Sequence, residues 1–257
     1  MIHGIVASKK PSGGGGGGEP LPTLPSEANI RYWFVADHDA FSDAGTTPAG
    51  NGSPIQQWGN QGAAEDALQA TLASRPIFRT GGLNGFPYVE ADGTHFFENL
   101  VEGSQPGGLT SFNPWTAFAV VDQVAVGKNN MIFGHNADGG KSWFYLNSLT
   151  PQQFGGFKSQ TTINVPNSGG ANVIAFGKRT GSTGGFARGH RNLGMTQFTQ
   201  TTNADSTGDV GMRFLRDWIA GRNFQGRLYE VIWYNSWLGT VNSDTVITYL
   251  KDKYGIT

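Results

Sequence analysis

Short apolar runs separated by turn residues fill most of the chain. In the first run, IRYWFVAD, successive side chains would point to opposite faces of a strand. One face then carries Tyr32, Phe34 and Ala36, and the other carries Trp33 and Val35. Because both faces are apolar, this run predicts a strand buried on both sides, as in a stack of two sheets.

Later runs have the same character. They are IQQW, RPIF, NGFPYVEADG, WTAFAVVD, NMIFGHN, KSWFYLN, ANVIAFGKR, FARGHRN, VGMRFLRDW and RLYEVIWYN. NMIFGHN and KSWFYLN flank a turn sequence that begins at Asp138, so these two runs are predicted to form a hairpin. The spacing of the whole series is typical of an all-β sandwich.

Two stretches favour helix. Ala63 to Ala73 contain helix-forming residues with weak periodicity. Near the C-terminus, Val246, Leu250 and Tyr254 recur every four residues, and Gly255 follows where a left-handed C-cap belongs. We expect this short terminal helix to pack by its apolar stripe against one edge of the sandwich.

The composition supports this fold class and excludes several functions. A chain of 257 residues fits one large sandwich, and 39 glycines with 12% aromatic residues suit short strands joined by tight turns. The absence of cysteine excludes disulfides and thiolate metal sites. A net charge of -1 gives no electrostatic footprint for nucleic acid or for an anionic membrane surface.

Residues 1–29 differ in composition from the rest of the chain. Six glycines, Gly13 to Gly18, precede a proline-rich segment, which together predict an extended tether. Composition alone also fits a disordered leader. The interpretation that we develop is an anchoring arm whose Ile2, Ile5 and Val6 dock on another protein.

Neither a signal peptide nor a membrane span is indicated. The opening sequence MIHGIVASKK lacks the apolar core of a signal peptide, and no apolar stretch of the chain is long enough to cross a bilayer. The sequence therefore predicts cytoplasmic synthesis without membrane insertion.

The ordered motifs resemble the laminin-G-like jelly rolls of the concanavalin A superfamily. The motifs are YWFVAD, Trp58, Arg75-Pro76, Asn84-Gly85, Asp92-Gly93, the closing strand FQGRLYEVIWYN and the terminal TYLKDKYG. The resemblance covers about residues 30–257. It implies a two-sheet antiparallel jelly-roll sandwich with a short C-terminal helix, preceded here by the extended N-terminal tail.

The same superfamily contains glucanases, which need two carboxylates about 5–5.5 Å apart on one strand face. Here Glu90 and Asp92 alternate along a strand, but the next position of the pattern is not acidic. We therefore predict that the chain is not an enzyme. Asp92 is expected to form an Asx turn before Gly93, and Glu230 is expected to be a structural carboxylate hydrogen-bonded to loop backbone.

Metal binding has one candidate position. The resemblance implies a Ca²⁺ ion at the rim of some sandwiches, and Asn136 and Asp138 offer oxygen atoms on the hairpin turn. The alternative is an ordinary turn without metal, so no cofactor is expected. The five histidines lack the spacing of a zinc site.

Aromatic side chains are the candidates for stacking on sugars. Trp143 and Tyr145 lie on the predicted hairpin, and Trp237 follows the last strand. The alternative for each ring is burial in the core, because aromatic residues supply much of a sandwich's packing area.

These observations lead to one functional expectation with an alternative. We expect a non-catalytic virion structural protein of a tailed phage, made in the host cytoplasm and serving in capsid decoration or in the tail. Its arm would bind a capsid or tail protein, its sandwich would face host glycans, and the resemblance suggests a homotrimer. The alternative is a free lectin or glycoside hydrolase of the concanavalin A superfamily.

Overall fold

The computed structural model describes residues 20–98, 115–125, 129–135, 144–147, 153–155, 170–178, 185–191, 194–200, 212–216 and 222–257. The strands of these ranges are β1 (Ile30–Val35), β2 (Ala40–Phe41), β3 (Gln57–Trp58), β4 (Ala67–Leu68), β5 (Ile77–Arg79), β6 (Tyr88–Asp92), β7 (Trp115–Asp122), β8 (Asn129–His135), β9 (Phe144–Asn147), β10 (Gln153–Gly155), β11 (Asn172–Lys178), β12 (Gly185–Arg191), β13 (Gly194–Gln200), β14 (Met212–Phe214) and β15 (Gln225–Tyr234). One α-helix, α1 (Gly239–Tyr254), and short 3-10 helices at Glu27–Asn29, Leu72–Ser74 and Leu83–Gly85 complete them.

The strands form two layers. The large sheet has the order β13-β12-β11-β7-β15-β6-β5, and β1 also pairs with β15. Along one side of β15, β6 pairs with its first half and β1 with its second half. The opposite layer contains two smaller sheets, β10-β9-β8-β14 and β2-β3-β4. All the strand pairs are antiparallel, so the predicted all-β antiparallel sandwich is confirmed, as is the hairpin pairing of β8 with β9.

The large sheet is buried on both faces. Tyr32, Phe34 and Ala36 belong to the core between the two layers, while Trp33 and Val35 belong to a second core under α1. The alternation predicted for β1 is therefore confirmed. In β7 all the residues from Trp115 to Asp122 are buried, which explains why this strand is apolar along nearly its whole length.

The terminal helix covers one face of the large sheet. Val246, Leu250 and Tyr254 are buried in the second core, as the spacing predicted. The helix packs over β11 rather than against an edge, because the apolar residues of β7, β11 and β15 continue onto that face. Gly255 ends the helix at φ 65° and ψ 36°, and its amide donates to the Lys251 carbonyl, so the predicted left-handed C-cap is also confirmed.

The helix predicted from Ala63 to Ala73 is wrong. Its first two residues instead follow the free edge of β1, where the amides of Ala63 and Ala64 donate to the carbonyls of Ile30 and Arg31, and the rest of the segment contains β4, which pairs with β3. Its backbone groups are thus paired with a strand, and this tertiary pairing overrides a weak helix propensity. The Asn60 side chain extends the same seam by accepting from Trp33 N at 2.7 Å and donating to Arg31 O at 2.9 Å.

Candidate functional site

A β-bulge on β15 determines the direction of Glu230, which is the one carboxylate on this strand. The pairing of β15 with β7 shifts register between Leu228 and Glu230. Leu228 faces the core between the layers, and the bulge then turns both Tyr229 and Glu230 toward α1, after which Val231 returns to the first core. Without the extra residue, strict alternation would place Glu230 among the apolar residues between the layers.

Glu230 is fully buried and accepts hydrogen bonds from four side chains. The donors are Trp33 Nε1 at 2.7 Å, Tyr249 Oη at 3.1 Å, Tyr254 Oη at 2.9 Å and Lys253 Nζ at 2.9 Å. The prediction of loop-backbone partners was wrong, because the bulge turns the carboxylate toward the helix, whose last turns supply three of the four donors. We call these five residues the Glu230 cluster.

A second carboxylate adjoins the cluster. Asp37 Oδ1 lies 3.7 Å from Lys253 Nζ and 2.9 Å from His38 Nδ1. Burial by itself would raise the pKa of the Asp37 carboxyl, but the His38 hydrogen bond and the Lys253 charge outweigh burial and lower this pKa below its usual value. Asp37 therefore favours the ionised form in the folded protein.

The two phenols of the cluster predict a loss of stability at alkaline pH. Burial, with the nearby Glu230 charge, raises the pKa of Tyr249 and Tyr254 well above the ordinary value near 10. Only the unfolded chain then ionises these groups easily, so their contribution is complete below about pH 10 and is lost as the pH rises further. We expect a lower Tm at pH 11 than at pH 8, with tyrosinate absorbance rising together with unfolding. Tyr249→Phe should weaken this dependence, whereas full tyrosine ionisation in an intact fold would contradict it.

Beyond the helix, the same face of the large sheet carries a row of alternating charges. Arg227 pairs in register with Glu90 of β6 on one side and with Asp122 of β7 on the other. Arg79 of β5 donates from Nε to Glu90 Oε2 at 2.7 Å, and Arg227 Nη1 lies 3.5 Å from Asp122 Oδ2. Directly paired residues share one face of a sheet, so these four side chains form a continuous polar strip, which we call the charged row.

The charged row is exposed to solvent at the end formed by Arg79 and Glu90, and it packs on the ring of Tyr88 at Arg227. The side chains of Arg79 and Glu90 are 39% and 36% exposed, and those of Arg227 and Asp122 are 29% and 12% exposed. The Arg227 guanidinium lies 4.9 Å from the ring centroid of Tyr88, which is buried in the second core. Two guanidinium groups and two carboxylates therefore stand in fixed positions with no net charge.

At the end of β6, Asp92 makes the expected Asx turn. Its Oδ1 accepts from Thr94 N at 2.8 Å and from Thr94 Oγ1 at 2.7 Å, and Gly93 takes φ 93°. The turn is joined to the start of β15 by a 2.7 Å hydrogen bond from Asn223 Nδ2 to Gly93 O. Asp92 is thereby held in a turn.

No protein-family model matches the chain, and no curated protein matches its sequence. Solved structures do match its fold. Domain 4 of AbnA, a GH43 extracellular arabinanase from Geobacillus stearothermophilus in complex with arabinotriose, is 16% identical with a TM-score of 0.50, and the match covers 86% of this chain and 98% of that domain. A GH54 α-L-arabinofuranosidase gives 13% identity and a TM-score of 0.57, covering 90% of this chain and 61% of that chain. Trypanosoma rangeli sialidase in complex with sialic acid gives 11% identity and a TM-score of 0.51, covering 94% and 36%.

The fold is an antiparallel β-sandwich. At these identities the likeness concerns the fold alone. The chain spans almost the whole of the arabinanase domain, about three fifths of the arabinofuranosidase and about a third of the sialidase.

Most of the site residues predicted from sequence fall outside the residues that the structure describes. Those residues are Ile2, Ile5, Val6, Asn136, Asp138 and Trp143. Tyr145 lies on β9, in the smaller layer, and its backbone is paired with Met131 and Gly155. Trp237 lies on the opposite side of the large sheet, so the structure does not bring Tyr145 and Trp237 together.

Trp237 packs on the backbone of β11. A Cβ atom added at Gly177 would lie 2.6 Å from Trp237 Cζ3, so a glycine is required for this approach. The flanking backbone is fixed by Thr116, whose Oγ1 donates to Ser236 O and accepts from Leu238 N. The ring is half-buried, which leaves part of it accessible.

Replacing Gly177 with alanine tests this packing. The added methyl group should displace the Trp237 ring and lower the free energy of unfolding by about 1–3 kcal/mol, as overpacking usually does. Tryptophan fluorescence of the folded variant should shift relative to the parent. In the background of Trp237→Ala the same glycine substitution should cost much less, and an equal cost in both backgrounds would contradict the contact.

Sequence reasoning missed three members of the charged row: Arg79, Asp122 and Arg227. Each lies on a separate strand, and only the strand register of the large sheet brings them together. Within the described ranges, no group of three or more histidine or acidic side chains is placed to hold a metal ion. No helix in those ranges is long and apolar enough to cross a membrane.

Proposed function

We propose that this chain is a non-catalytic, carbohydrate-binding structural protein of a virion. In this proposal the sandwich presents the charged row to glycans, while the arm of residues 1–29 attaches to a capsid or tail protein. The observation that carries the glycan part is the charged row itself, which lies partly exposed on the large sheet of a lectin-like fold.

The chemistry of the row suits uncharged sugars. Guanidinium groups donate hydrogen bonds and carboxylates accept them, so alternating groups match hydroxyls, which do both. Since the two positive and two negative charges cancel, the row has no net attraction for an anionic ligand. The likeness to an arabinanase domain in complex with arabinotriose supports the same class of ligand.

The pairing of the carboxylates supports a binding role over hydrolysis. Glycosidases generally need one carboxyl group to donate a proton and another to act as nucleophile or base. In the charged row, Glu90 accepts a hydrogen bond from Arg79, and Asp122 forms an ion pair with Arg227. A carboxylate oxygen that is engaged by a guanidinium group is less available to a glycosidic bond than a free one.

A glycan array followed by calorimetry tests the binding proposal. Arabinotriose and other uncharged oligosaccharides are the first probes, and a sialylated trisaccharide is the charged comparison. Arg227→Ala and Glu90→Ala should each weaken binding of an uncharged ligand at least about tenfold, which corresponds to about 1.4 kcal/mol. Asp252→Asn is the matched control, because it removes an exposed charge from α1, away from the row. Binding unaffected by both row substitutions would contradict the site.

The alternative function is glycoside hydrolysis, which the likeness to arabinofuranosidase and sialidase structures favours. It is separated from binding by incubating the protein with each array ligand and measuring released reducing sugar. Release that disappears in Glu90→Gln would replace the binding proposal by a catalytic one.

The virion part of the proposal concerns the arm. Its apolar residues Ile2, Ile5 and Val6 precede the six glycines that make the segment a tether. We expect the protein to occur at fixed stoichiometry in purified phage particles, with homotrimers as the form to be tested. A variant lacking residues 1–18 should bind glycan normally but be lost from particles, and unchanged incorporation would contradict the anchoring role.

A further inference from the structure

One lysine of the chain lies between two carboxylates in a nearly closed space. Lys253 Nζ is 2.9 Å from Glu230 Oε2 and 3.7 Å from Asp37 Oδ1. The side chains of Lys253 and Asp37 are each 12% exposed, and that of Glu230 is fully buried. An ordinary ion pair needs one carboxylate, so the second one makes this arrangement unusual.

The surroundings of the ammonium group are largely aromatic. Lys253 Nζ lies 5.2 Å from the ring centroid of Phe86 and 5.1 Å from that of Tyr254. The Tyr249 ring lies on a third side at 5.9 Å. The three rings and the two carboxylates therefore enclose the Lys253 nitrogen on most of its sides, which limits the access of water to the reacting atoms.

We propose that Lys253 and Asp37 form an intramolecular amide bond, with Glu230 as the proton-transfer group. The Lys253 amine adds to Cγ of Asp37, the new Nζ–Cγ bond forms, and one Cγ–O bond breaks. Glu230 accepts the proton released from Nζ and returns it to the departing oxygen, which leaves as water. The reaction consumes no other reagent and leaves Glu230 unchanged.

The geometry supports each role. Lys253 Nζ lies 3.7 Å from Asp37 Oδ1, and reacting atoms in a near-attack arrangement are about 3–3.5 Å apart, so a side-chain movement of about 1–2 Å would bring Nζ into that range of Cγ. Glu230 already touches the reacting nitrogen and is held in place by Trp33 Nε1 and the two phenols. The opposing factor is His38, whose hydrogen bond stabilises the Asp37 carboxylate. The Lys253 proton must therefore reach Asp37 before addition, a transfer within the pair that changes no net charge.

The bond would fasten the end of β1 to the last turn of α1. These two segments lie at opposite ends of the described sandwich sequence, so the closed loop includes nearly every strand. Closing so large a loop restricts the unfolded chain and stabilises the native state. It would also keep the terminal helix covalently attached to the sheet that it covers.

Intact mass spectrometry of the purified full-length protein tests the proposal. We expect the protein to be lighter than its sequence by one water molecule and to yield, after proteolysis, a branched peptide joining Asp37 to Lys253. Lys253→Arg is the matched control, since arginine retains the positive charge beside Glu230 but should not form the amide. Asp37→Ala removes the acceptor carbon, and both variants should have the full calculated mass.

Glu230→Gln separates proton transfer from simple proximity. It preserves the shape of the side chain, and the water loss should slow at least tenfold in the folded variant. If this variant does not fold, the parent protein and Lys253→Arg still decide the question. A folded parent with its full calculated mass after prolonged incubation would overturn the proposal. Water loss that persists in Lys253→Arg would overturn it too, because it would place the loss elsewhere, for example in a succinimide at Asp92-Gly93.

Discussion

Replacing Glu230 with alanine is expected to lower the free energy of unfolding by about 3–5 kcal/mol, the usual cost of removing one partner from a buried charged pair. The substitution leaves Lys253, half-enclosed by aromatic rings, without its 2.9 Å acceptor. It also removes the acceptor of the buried Trp33 indole and of two phenols. A urea titration monitored by far-UV circular dichroism should show the effect as a lower urea concentration at the midpoint of unfolding.

Two further variants identify the source of this loss. Asp252→Asn removes an exposed carboxylate from the same helix and should change stability by less than about 0.5 kcal/mol. In a double-mutant cycle with Lys253→Met, the combined loss should be smaller than the sum of the single losses, because neither charge is then left alone. Additive losses would show that Glu230 and Lys253 act independently. Since Lys253→Met and Lys253→Arg both abolish the proposed amide, comparing them separates the ion pair from the covalent bond.

Replacing Trp58 with alanine is expected to cost about 3–5 kcal/mol, as for other large aromatic residues of a core. Trp58 is fully buried between the layers, with ring centroids of Phe34 at 5.4 Å and Phe214 at 5.7 Å. Its indole Nε1 also donates to the Val35 carbonyl at 3.0 Å, which ties the smaller layer to β1. The alanine variant loses both the packing and this hydrogen bond.

Trp58→Phe provides the matched comparison. It keeps an aromatic ring in the core and removes the indole donor, so its loss should be clearly smaller than that of the alanine variant. Equilibrium urea unfolding of both variants gives the two values, provided the slope with denaturant concentration is unchanged. Equal losses would mean that the hydrogen bond to Val35, and not the packing, governs this position.

Elements specified by local pattern were predictable from the sequence. The two apolar faces of β1, the continuous apolar run of β7 and the stripe and C-cap of α1 each follow from residue spacing alone. The Asx turn at Asp92 was equally local, since its hydrogen bonds reach only to Thr94. These features needed no knowledge of which strands are neighbours.

Features that depend on register were not predictable. The partners of Glu230 follow from a bulge of one residue in β15, and no local signal marks which residue is added. The charged row joins Arg79, Glu90, Arg227 and Asp122 from four strands whose order in the sheet differs from their order in the chain. Likewise, Ala63 and Ala64 follow the edge of β1 because of a contact that their own helix propensity cannot reveal.

The loop that covers the free edge of β1 has a consequence for crowding. An exposed strand edge can form hydrogen bonds with a strand of another molecule, and such edge-to-edge aggregation increases with local protein concentration. Here Asn60 occupies the open hydrogen-bonding positions, and Gly62 allows a contact so close that an added Cβ atom would lie 2.6 Å from Arg31 O. Many copies held side by side on one surface would therefore remain separate at this edge instead of joining into a continuous sheet.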